Sequence, residues 1–366
     1  MSPRPILIMA GGTGGHVFPA LALARALKSR SHEVLWLGTR RGLEARIVPA
    51  ESIAIEWLSV GGLRGKGMFT WLAAPFRLAL ALAQALRVMW RHRPLVVVGL
   101  GGFVSGPGGV AAWLTRAPLV IHEQNAIAGF TNRCLAHLAR EVLEAFPGSF
   151  GAGVRARAIG NPVRGDIIAT PAPAQRFAGR AGPIRILVFG GSLGAVKLNT
   201  IVPFALARLA AGGGSRLSFE VQHQCGAQWR EPTERAYASA GVRAEVKPFI
   251  EDMASAYGWA DLVICRAGAL TISELAAAGV GAILVPFPAA VDDHQSANAR
   301  FLVRGGAAAV IADRELTPER LAAEIERLCA DRTRLLTMAE SARALAQPSA
   351  TEELTRACEG LVRQAA

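Results

Sequence analysis

The chain has 366 residues, and its 40 Lys and Arg against 28 Asp and Glu give a formal net charge of +12. Hydrophobic residues make up 51% of the chain and charged residues 19%, which excludes a disordered or fibrous protein. The length predicts two or three domains, and the charge predicts an anionic partner: nucleic acid, a phosphorylated substrate or an acidic membrane surface. Five scattered cysteines without a CxxC pair indicate buried thiols in a reducing compartment.

Short β-branched segments alternate with longer Ala/Leu-rich segments, a pattern typical of doubly wound α/β folds with parallel sheets. Strands are predicted at residues 6–10, 34–37, 95–99, 119–122, 184–189, 217–221, 261–265 and 282–286, and helices at 18–28, 75–90, 198–209 and 271–278. The strand-to-glycine pattern of the N-terminus restarts near residue 186 after a Pro-rich linker, which predicts two Rossmann-like domains in tandem.

The segment 68–90 has the length of a membrane span, since about 20 residues cross a bilayer. Pro75, Arg77, Gln84 and Arg87 lie inside it, however, and a central Arg costs about 2.5–3.5 kcal/mol on insertion. We therefore predict a helix buried against a sheet. A third interpretation stays open, in which one end rests in the lipid interface, because basic residues flank the segment on both sides.

The loop Gly11-Gly12-Thr13-Gly14-Gly15-His16 follows the first strand and opens a helix. Glycines permit close backbone approach, and free N–H groups at a helix start favour phosphate. The spacing is neither GxGxxG nor a Walker A loop, and no acidic residue ends the next strand, so dinucleotide binding is disfavoured. Glycine loops also follow the strands that end at 99 and 189, and three such loops predict a substrate with several phosphates.

Three polar clusters accompany the glycine loops. Thr271 and Glu274 have the spacing of a capping box, although Glu274 could instead accept hydrogen bonds from ribose hydroxyls beside a phosphate-binding helix start. The segment 122–125, His-Glu-Gln-Asn, ends a strand and predicts the edge of a site. The segment 292–295, Asp-Asp-His-Gln, could hold a metal, but a sugar-binding edge or a solvated loop fits better because no matching ligands occur elsewhere.

Eight strings occur in colinear order between Ile6 and about Leu302 and resemble the bacterial N-acetylglucosaminyltransferases of glycosyltransferase family 28. They are MAGGTGGHVFPALALA, LRGKG, GGFVSGPGGVAAW, HEQNAIAGFTNR, GNPVR, FGGSLGA, CRAGALTISELAAAG and DDHQSANA. One departure is visible, because the family loop usually reads GGSQGA and Leu193 here replaces the Gln. A side-chain hydrogen bond is thereby lost, whereas the backbone cradle should survive.

The resemblance implies a GT-B architecture, in which two Rossmann-like domains with parallel sheets face a cleft. Residues 1–163 would bind the acceptor and the membrane, with a C-terminal helix at about 345–366 packing back on them, and residues 164–344 would bind UDP-GlcNAc. The implied reaction moves GlcNAc from UDP-GlcNAc to the carbon-4 hydroxyl of MurNAc in undecaprenyl-diphospho-MurNAc-pentapeptide (lipid I), with inversion at the anomeric carbon. No cofactor is implied, and without a DxD motif we expect no required metal.

The implied location is the cytoplasmic face of the bacterial inner membrane, with an anionic membrane surface and proteins of cell-wall synthesis and division as partners. The resemblance assigns substrate binding to Thr13, Gly14, Gly15, Asn125, Arg164, Ser192, Ile250, Ala269, Leu270, Thr271, Ile272, Ser273, Glu274 and Gln295. The acceptor diphosphate is assigned to the loops of Gly11, Gly12, Gly101, Gly102 and Ser105.

An inverting transfer needs a base that takes the acceptor proton. His16 is the leading candidate, because it alone of the seven histidines lies on a glycine loop at a helix start. Two alternatives stay open: His16 only hydrogen-bonds to the acceptor or sugar, or Glu123 is the base.

Other classes of protein explain less of the sequence. A nicotinamide-dependent oxidoreductase would account for one glycine loop but not for the other two. A nucleic-acid binder would account for the charge, but the basic residues are dispersed and no aromatic platform accompanies them. The remaining alternative is a related GT-B enzyme with another lipid acceptor, such as diacylglycerol.

Overall fold

The computed structural model describes residues 4–61, 74–191, 194–211, 217–288 and 293–365. The chain divides into two compact units. The first consists of Met1–Val163 together with Pro348–Ala366, and the second of Arg164–Gln347.

The first unit is built on a seven-stranded parallel sheet with the strand order β3-β2-β1-β4-β5-β6-β7. Its strands are β1 Ile6–Met9, β2 Val34–Gly38, β3 Ala54–Trp57, β4 Val96–Gly99, β5 Leu119–Glu123, β6 Glu141–Glu144 and β7 Arg157–Ala158. The helices of this unit are α1 Gly14–Ser29, α2 Glu44–Ala50, α3 Ala74–His92, α4 Ser105–Leu114, α5 Phe130–Ala136 and, at the end of the chain, α15 Ala350–Ala365.

The second unit is built on a six-stranded parallel sheet with the order β10-β9-β8-β11-β12-β13. Its strands are β8 Ile184–Phe189, β9 Phe219–Gln224, β10 Glu245–Lys247, β11 Leu262–Cys265, β12 Ala282–Leu284 and β13 Ala308–Val310. Its helices are α6 Gly165–Ile168, α7 Pro173–Phe177, α8 Val196–Ala211, α9 Arg230–Ser239, α10 Met253–Trp259, α11 Ala269–Ala278, α12 His294–Arg304, α13 Pro318–Cys329 and α14 Arg332–Ala344.

The apolar strands of the first sheet are covered on both faces. Ile6 and Ile8 of β1 pack toward α1 and α15, whereas Leu7 and Met9 pack toward α3, α4 and α5. This alternation is the two-residue period of a strand, and burial of both faces explains why the strands read as continuous apolar runs. In the second unit α8, α13 and α14 cover one face of the sheet in the same way.

The strand order of each sheet reverses beside its first strand. In the first sheet the chain moves outward from β1 through β2 and β3 and then returns to β4 on the other side of β1. In the second sheet β8 and β11 are neighbours for the same reason. Loops at the carboxyl ends of these paired strands diverge, and ligands of doubly wound α/β folds bind at this position. The predicted α/β class with parallel sheets is confirmed, although β3, β6, β7, β10 and β13 were missed.

Helix α3 covers most of the segment that was tested as a membrane span. Its second half packs on the sheet through Ala81, Ala85, Val88 and Met89. Its first half, residues 75–80, is exposed, and 84% of Phe76 is accessible. The predicted buried helix is therefore right for the second half and wrong for the first. Residues 68–73 lie outside the described part of the chain, and within that part no helix is sufficiently long and apolar to cross a bilayer.

Helix α15 completes the hydrophobic core of the first unit. Leu354, Cys358 and Leu361 are buried against α1 and the sheet. Arg30, which follows α1, pairs with Glu352 and Glu359 of α15 at the surface. The last 16 residues before Ala366 therefore belong structurally to the first domain of the chain.

Candidate active site

His16 lies between the first two glycine loops of the first unit. A Cβ at Gly101 would lie 2.9 Å from Nε2 of His16 and 2.6 Å from its Cδ2, so the imidazole packs directly on a position that only glycine can occupy. The φ of Gly101 is +95°, which independently favours glycine. The Nδ1 atom of His16 is buried and has no hydrogen-bond partner among the described residues. Burial lowers the pKa of His16, against the opposing influence of the Glu123 charge, the Gly11 backbone and the Glu44 charge, so the ring is neutral at neutral pH.

The first glycine loop presents the start of α1. Thr13 is the N-cap residue, and its side chain makes no capping hydrogen bond. The first backbone bonds of the helix run from His16 and Val17 to the Thr13 carbonyl. The N–H groups of Gly14 and Gly15 are therefore left without a partner in the part of the chain that is described, and they can donate to an anion or a sugar oxygen.

Gly12 behaves differently from the sequence expectation. Its N–H is not free for a diphosphate, because it donates to Oε2 of Glu44 at 2.9 Å. The other carboxylate oxygen of Glu44 accepts from the N–H and the hydroxyl of Thr39 at 2.9 and 2.8 Å. Gly11 is buried beside the same carboxylate, so a Cβ there would meet Oε1 at 2.6 Å. Gly11 and Gly12 therefore fix the loop, while Gly14 and Gly15 carry its free donors.

The second glycine loop packs on the first. A Cβ at Gly102 would lie 2.4 Å from the Gly11 carbonyl oxygen, and the φ of Gly102 is +84°. Ser105 is buried, and both of its donors are used within the loop. Its hydroxyl donates to the Gly101 carbonyl at 3.0 Å, and its N–H donates to the Gly102 carbonyl at 3.2 Å. Ser105 thus shapes the loop rather than offering a free hydroxyl.

The polar segment 122–125 mainly supports the surrounding loops. His122 Nε2 contacts the Gly160 carbonyl at 2.9 Å, and Gln124 donates to the Leu100 carbonyl of the second glycine loop at 2.7 Å. The Glu123 carboxylate accepts four hydrogen bonds, from the N–H groups of Asn125 and Gly129 and from the side-chain amides of Asn125 and Asn132. Asn125 is half-buried at the end of this network. All four donors belong to the following loop and to α5, so the carboxylate is already used to hold that segment in place, which argues against Glu123 as the base.

In the second unit, the described part of the third glycine loop packs against β9. A Cβ at Gly194 would lie 1.8 Å from the Cys225 carbonyl oxygen, and the φ of Gly194 is +76°. Ser192 and Leu193 lie outside the described residues, so their predicted roles stay predictions.

The start of α11 offers unoccupied backbone donors. Gly268 is its N-cap residue and supplies no side-chain cap, and the first helical bond runs from Ile272 to the Gly268 carbonyl. The N–H groups of Ala269, Leu270 and Thr271 consequently have no partner in the described ranges. Because Gly268 is the N-cap, the capping-box interpretation of Thr271 and Glu274 is wrong. Ser273 instead bonds the Ala269 carbonyl within the helix at 3.2 Å.

Glu274 contacts side chains rather than the helix start. The Tyr257 hydroxyl donates to its Oε2 at 3.0 Å, and the Arg164 guanidinium lies 3.8 Å from Oε1. Burial raises the pKa of Glu274 to about 7, and the charge of Arg164 limits the rise. Near neutral pH this carboxyl is therefore balanced between its two protonation states.

Two other predicted residues lie in loops of the second unit. Ile250 is buried in the loop after β10, and within the described residues its backbone N–H and C=O make no hydrogen bond. Gln295, in the first turn of α12, accepts through Oε1 from the N–H groups of Ala267 and Phe287 at 3.1 and 2.9 Å. Its Nε2 group remains able to donate beside the start of α11. Asp292, from the segment weighed as a metal cluster, lies outside the described residues.

Sequence reasoning missed Glu44 and Tyr257. A dinucleotide-binding fold would place an acidic residue at the end of β2. Glu44 instead follows that end by six residues, and its carboxylate reaches back to the first glycine loop. The pattern that could have indicated this role is an acidic residue two positions after a glycine. A Cβ at Gly42 would lie 2.0 Å from the Glu44 carboxylate, so the glycine is needed there. Tyr257 is one of two tyrosines in the chain, and nothing in its local pattern indicates that it reaches Glu274.

Two parallel-sheet units with glycine loops at the reversal of strand order define a GT-B glycosyltransferase. The crystal structure of the calicheamicin glycosyltransferase CalG4 shares this fold, with a TM-score of 0.66 at 18% identity over 100% of both chains. The glycosyltransferase family 28 N-terminal domain matches residues 6–144, and the glycosyltransferase family 28 C-terminal domain matches residues 185–354. The chain belongs to glycosyltransferase family 28.

Similar proteins within the family match over nearly their full length. A UDP-N-acetylglucosamine--N-acetylmuramyl-(pentapeptide) pyrophosphoryl-undecaprenol N-acetylglucosamine transferase from Marinobacter nauticus is 57% identical over 97% of both chains. The protein of the same description from Nitrosococcus oceani is 56% identical over 96% of this chain and 97% of its own. The crystal structure of Acinetobacter baumannii MurG has a TM-score of 0.85 at 42% identity, covering 98% of this chain and 100% of its own.

We expect Glu44→Gln to loosen the first glycine loop, because an amide NH₂ would face backbone or hydroxyl donors where a carboxylate oxygen now accepts. The free energy of unfolding should fall by about 1–3 kcal/mol, the cost of leaving a buried donor unpaired. Urea unfolding of the purified protein measures this change. Glu33→Gln, at an exposed glutamate, is the control for charge, and equal stability of the two variants would contradict the assigned network.

Proposed function

We propose that the protein transfers GlcNAc from UDP-GlcNAc to the carbon-4 hydroxyl of MurNAc in lipid I, which yields lipid II for peptidoglycan synthesis. The observation that carries the proposal is full-length identity above 50% to transferases of that description. In this scheme the second unit binds the donor and the first unit binds the acceptor.

Donor binding is supported by three groups of the second unit. The free N–H groups at the start of α11 are suited to the diphosphate, because a helix N-terminus attracts negative charge. The unpaired peptide groups of Ile250 match the donor and acceptor pattern of uracil. Glu274 accepts hydrogen bonds from ribose hydroxyls when it is ionised, and the amide of Gln295 donates to the sugar hydroxyls.

The first unit supplies the proton acceptor. His16 is neutral and lies at the start of α1 beside the free N–H groups of Gly14 and Gly15, whereas four donors already occupy the Glu123 carboxylate. We therefore assign the general base to His16. It removes the proton from the carbon-4 hydroxyl as that oxygen attacks the anomeric carbon, while Gly14 and Gly15 donate to an oxygen of the bound substrate.

The attack is an in-line displacement that inverts the anomeric carbon and releases UDP. Negative charge grows on the leaving diphosphate, and the N–H groups of α11 stabilise it where it develops. Because the N–H groups at the start of α11 stabilise the charge of the leaving diphosphate, we propose that the reaction needs no divalent cation.

We further propose that the protein works at the cytoplasmic face of the inner membrane, next to proteins of cell-wall synthesis and division. Support comes from the exposed first half of α3, where Phe76, Leu78 and Leu80 are accessible beside Arg77. Apolar side chains next to cations are suited to an interface of lipid tails and anionic headgroups.

The transfer is tested with purified protein, radiolabelled UDP-GlcNAc and a short-chain lipid I analogue. We expect a labelled disaccharide lipid, with full activity in EDTA. Diacylglycerol serves as the competing acceptor. If label enters diacylglycerol or no lipid at all while a control transferase is active, the proposal is wrong. Abolition by EDTA would overturn only the metal-free mechanism.

Replacement of His16 separates proton transfer from hydrogen bonding. We expect His16→Ala and His16→Gln both to lower kcat by about 10²–10⁴-fold, because neither side chain can take the proton. His32→Gln, at a histidine paired with Glu359 on the surface, is the control and should be unaffected. Near-normal turnover of His16→Gln would mean that His16 only hydrogen-bonds, and the base would lie elsewhere.

Donor affinity should depend on pH through Glu274. The raised pKa near 7 means that lowering the pH protonates the carboxylate that accepts from the ribose, so UDP-GlcNAc should bind about tenfold more weakly at pH 6 than above pH 8. Calorimetry measures this, since the diphosphate diester of UDP-GlcNAc does not titrate in that range. Glu274→Gln should bind weakly at every pH, whereas Glu231→Gln, at an exposed glutamate, should keep the wild-type profile.

Membrane binding should depend on the exposed half of α3. Phe76→Ser with Leu80→Ser should weaken sedimentation with phosphatidylglycerol vesicles by at least about tenfold, given about 1.5–3 kcal/mol for burying each side chain. High salt should weaken it further. Phe204→Ser, at an exposed position of α8, is the matched control. Unchanged vesicle binding of the double variant would exclude α3 as the contact.

A further inference from the structure

A cavity of about 690 Å³ opens on the first unit at the amino-terminal edge of its sheet. The glycine loops lie at the opposite, carboxyl edge. Four arginines line the cavity, and each precedes a different strand. They are Arg4 before β1, Arg93 before β4, Arg116 before β5 and Arg140 before β6. These four strands are consecutive neighbours in the sheet, and parallel strands begin at one edge, so the topology brings the arginines together.

The positive charge of the cavity is not compensated. No carboxylate lines it, and none of the four arginines forms an ion pair with a described residue. Glu141 follows Arg140 in the sequence, but it is paired with Arg157 at 2.8 Å. The Nε atom of Arg4 donates to the Arg93 carbonyl at 2.8 Å, which leaves the two terminal nitrogens of Arg4 for another acceptor.

Backbone strain accompanies two of the arginines. Arg93 has a φ of +47° and Arg116 a φ of +58°, at the turns that lead into β4 and β5. Glycine adopts this left-handed conformation without cost, whereas a side chain at Cβ crowds the following carbonyl. Both residues follow the C-terminus of a helix, α3 for Arg93 and α4 for Arg116, so the helix ends hold the two side chains at the rim of the cavity.

A second cavity of similar volume does not have an excess of positive charge. In the second unit a cavity of about 770 Å³ is lined by Arg243 together with Glu220, Glu234 and Glu245. Its single cation is surrounded by acids, so it offers no net attraction to an anion. The cavity of the first unit differs by its four cations and by Trp90, a residue that lines it and is 66% exposed.

We propose that this cavity is a second anion site, which binds a multiply charged phosphate group and is separate from the substrate sites. The guanidinium fork matches phosphate oxygens in pairs, and several guanidinium groups at one cavity favour a polyanion over a single carboxylate. Substrates of doubly wound folds bind at the carboxyl edge, so a ligand here leaves the glycine loops unoccupied. Free polyphosphates and phosphorylated lipid headgroups both carry this chemistry.

The test uses the double variant Arg93→Gly with Arg116→Gly in the full chain. Glycine relieves the left-handed backbone, so the melting temperature should be equal to or higher than that of the wild type. The two guanidinium groups are removed at the same time. Arg243→Ala, at the exposed arginine of the other cavity, is the control.

The soluble probe is inorganic tripolyphosphate, titrated by calorimetry with saturating UDP-GlcNAc present so that the donor site is filled. The lipid probe is a phosphatidylcholine vesicle containing phosphatidic acid. We expect the double variant to bind at least one of these probes about tenfold or more weakly than the wild type, while the control binds equally. Weaker binding of tripolyphosphate by the double variant identifies a soluble ligand. Weaker binding of vesicles alone identifies a lipid headgroup.

Two outcomes would overturn the proposal. One is that the wild type binds neither probe at low ionic strength. The other is that the folded double variant binds both probes as tightly as the wild type, since the phosphate would then be held elsewhere. Transfer activity of the variant is a separate readout, and its presence or absence does not decide whether the cavity binds phosphate.

Discussion

The pairing of β1 with β4 fixes the site of the first unit. In this register Met9 lies opposite Gly99, so the two strands end at the same level and release their glycine loops side by side. The loops are then so close that the Gly11 carbonyl and the His16 ring fill the space where side chains at Gly102 and Gly101 would lie. The second unit repeats the arrangement, because Phe189 of β8 lies opposite Cys265 of β11. Backbone pairing thus brings together glycine loops that are distant in sequence.

The central strands and the glycine loops that follow them could be predicted from the sequence. Continuous apolar runs identified the central strands, since a strand covered on both faces needs no polar residue. Strands at or next to the edges were missed for the converse reason: the edge strand β3 is half exposed, and β6, which is next to the edge, contains Glu141 and Glu144. The loops themselves were found because glycine followed by a helix start is a local pattern. Which donors of a loop are free was not local information, as Gly12 and Glu44 demonstrate across 32 residues.

Buried carboxyl groups have different roles in the two units. Glu44 and Glu123 each accept several hydrogen bonds that hold loops in place. Glu274 accepts one hydrogen bond from Tyr257 and lies near the more distant Arg164 guanidinium, and burial raises its pKa to about 7 in spite of both. The contrast is one of hydrogen bonding, because Glu44 and Glu123 are each surrounded by backbone and side-chain donors whereas Glu274 accepts one side-chain hydrogen bond. The spacing of Thr271 and Glu274 left a capping box and ribose binding both open, because a local pattern cannot distinguish these environments.

The return of α15 to the first unit has a consequence for how the chain folds during synthesis. Leu354, Cys358 and Leu361 pack against α1 in the core of the first unit, yet they are synthesised after the whole of the second unit. Until then the outer side of α1 has no cover, although all of the second unit has already been made. Domains generally fold in the order of their synthesis, but here the unit that is begun first is the one that is completed last. A nascent chain stalled before residue 350 would therefore expose an apolar surface and recruit chaperones.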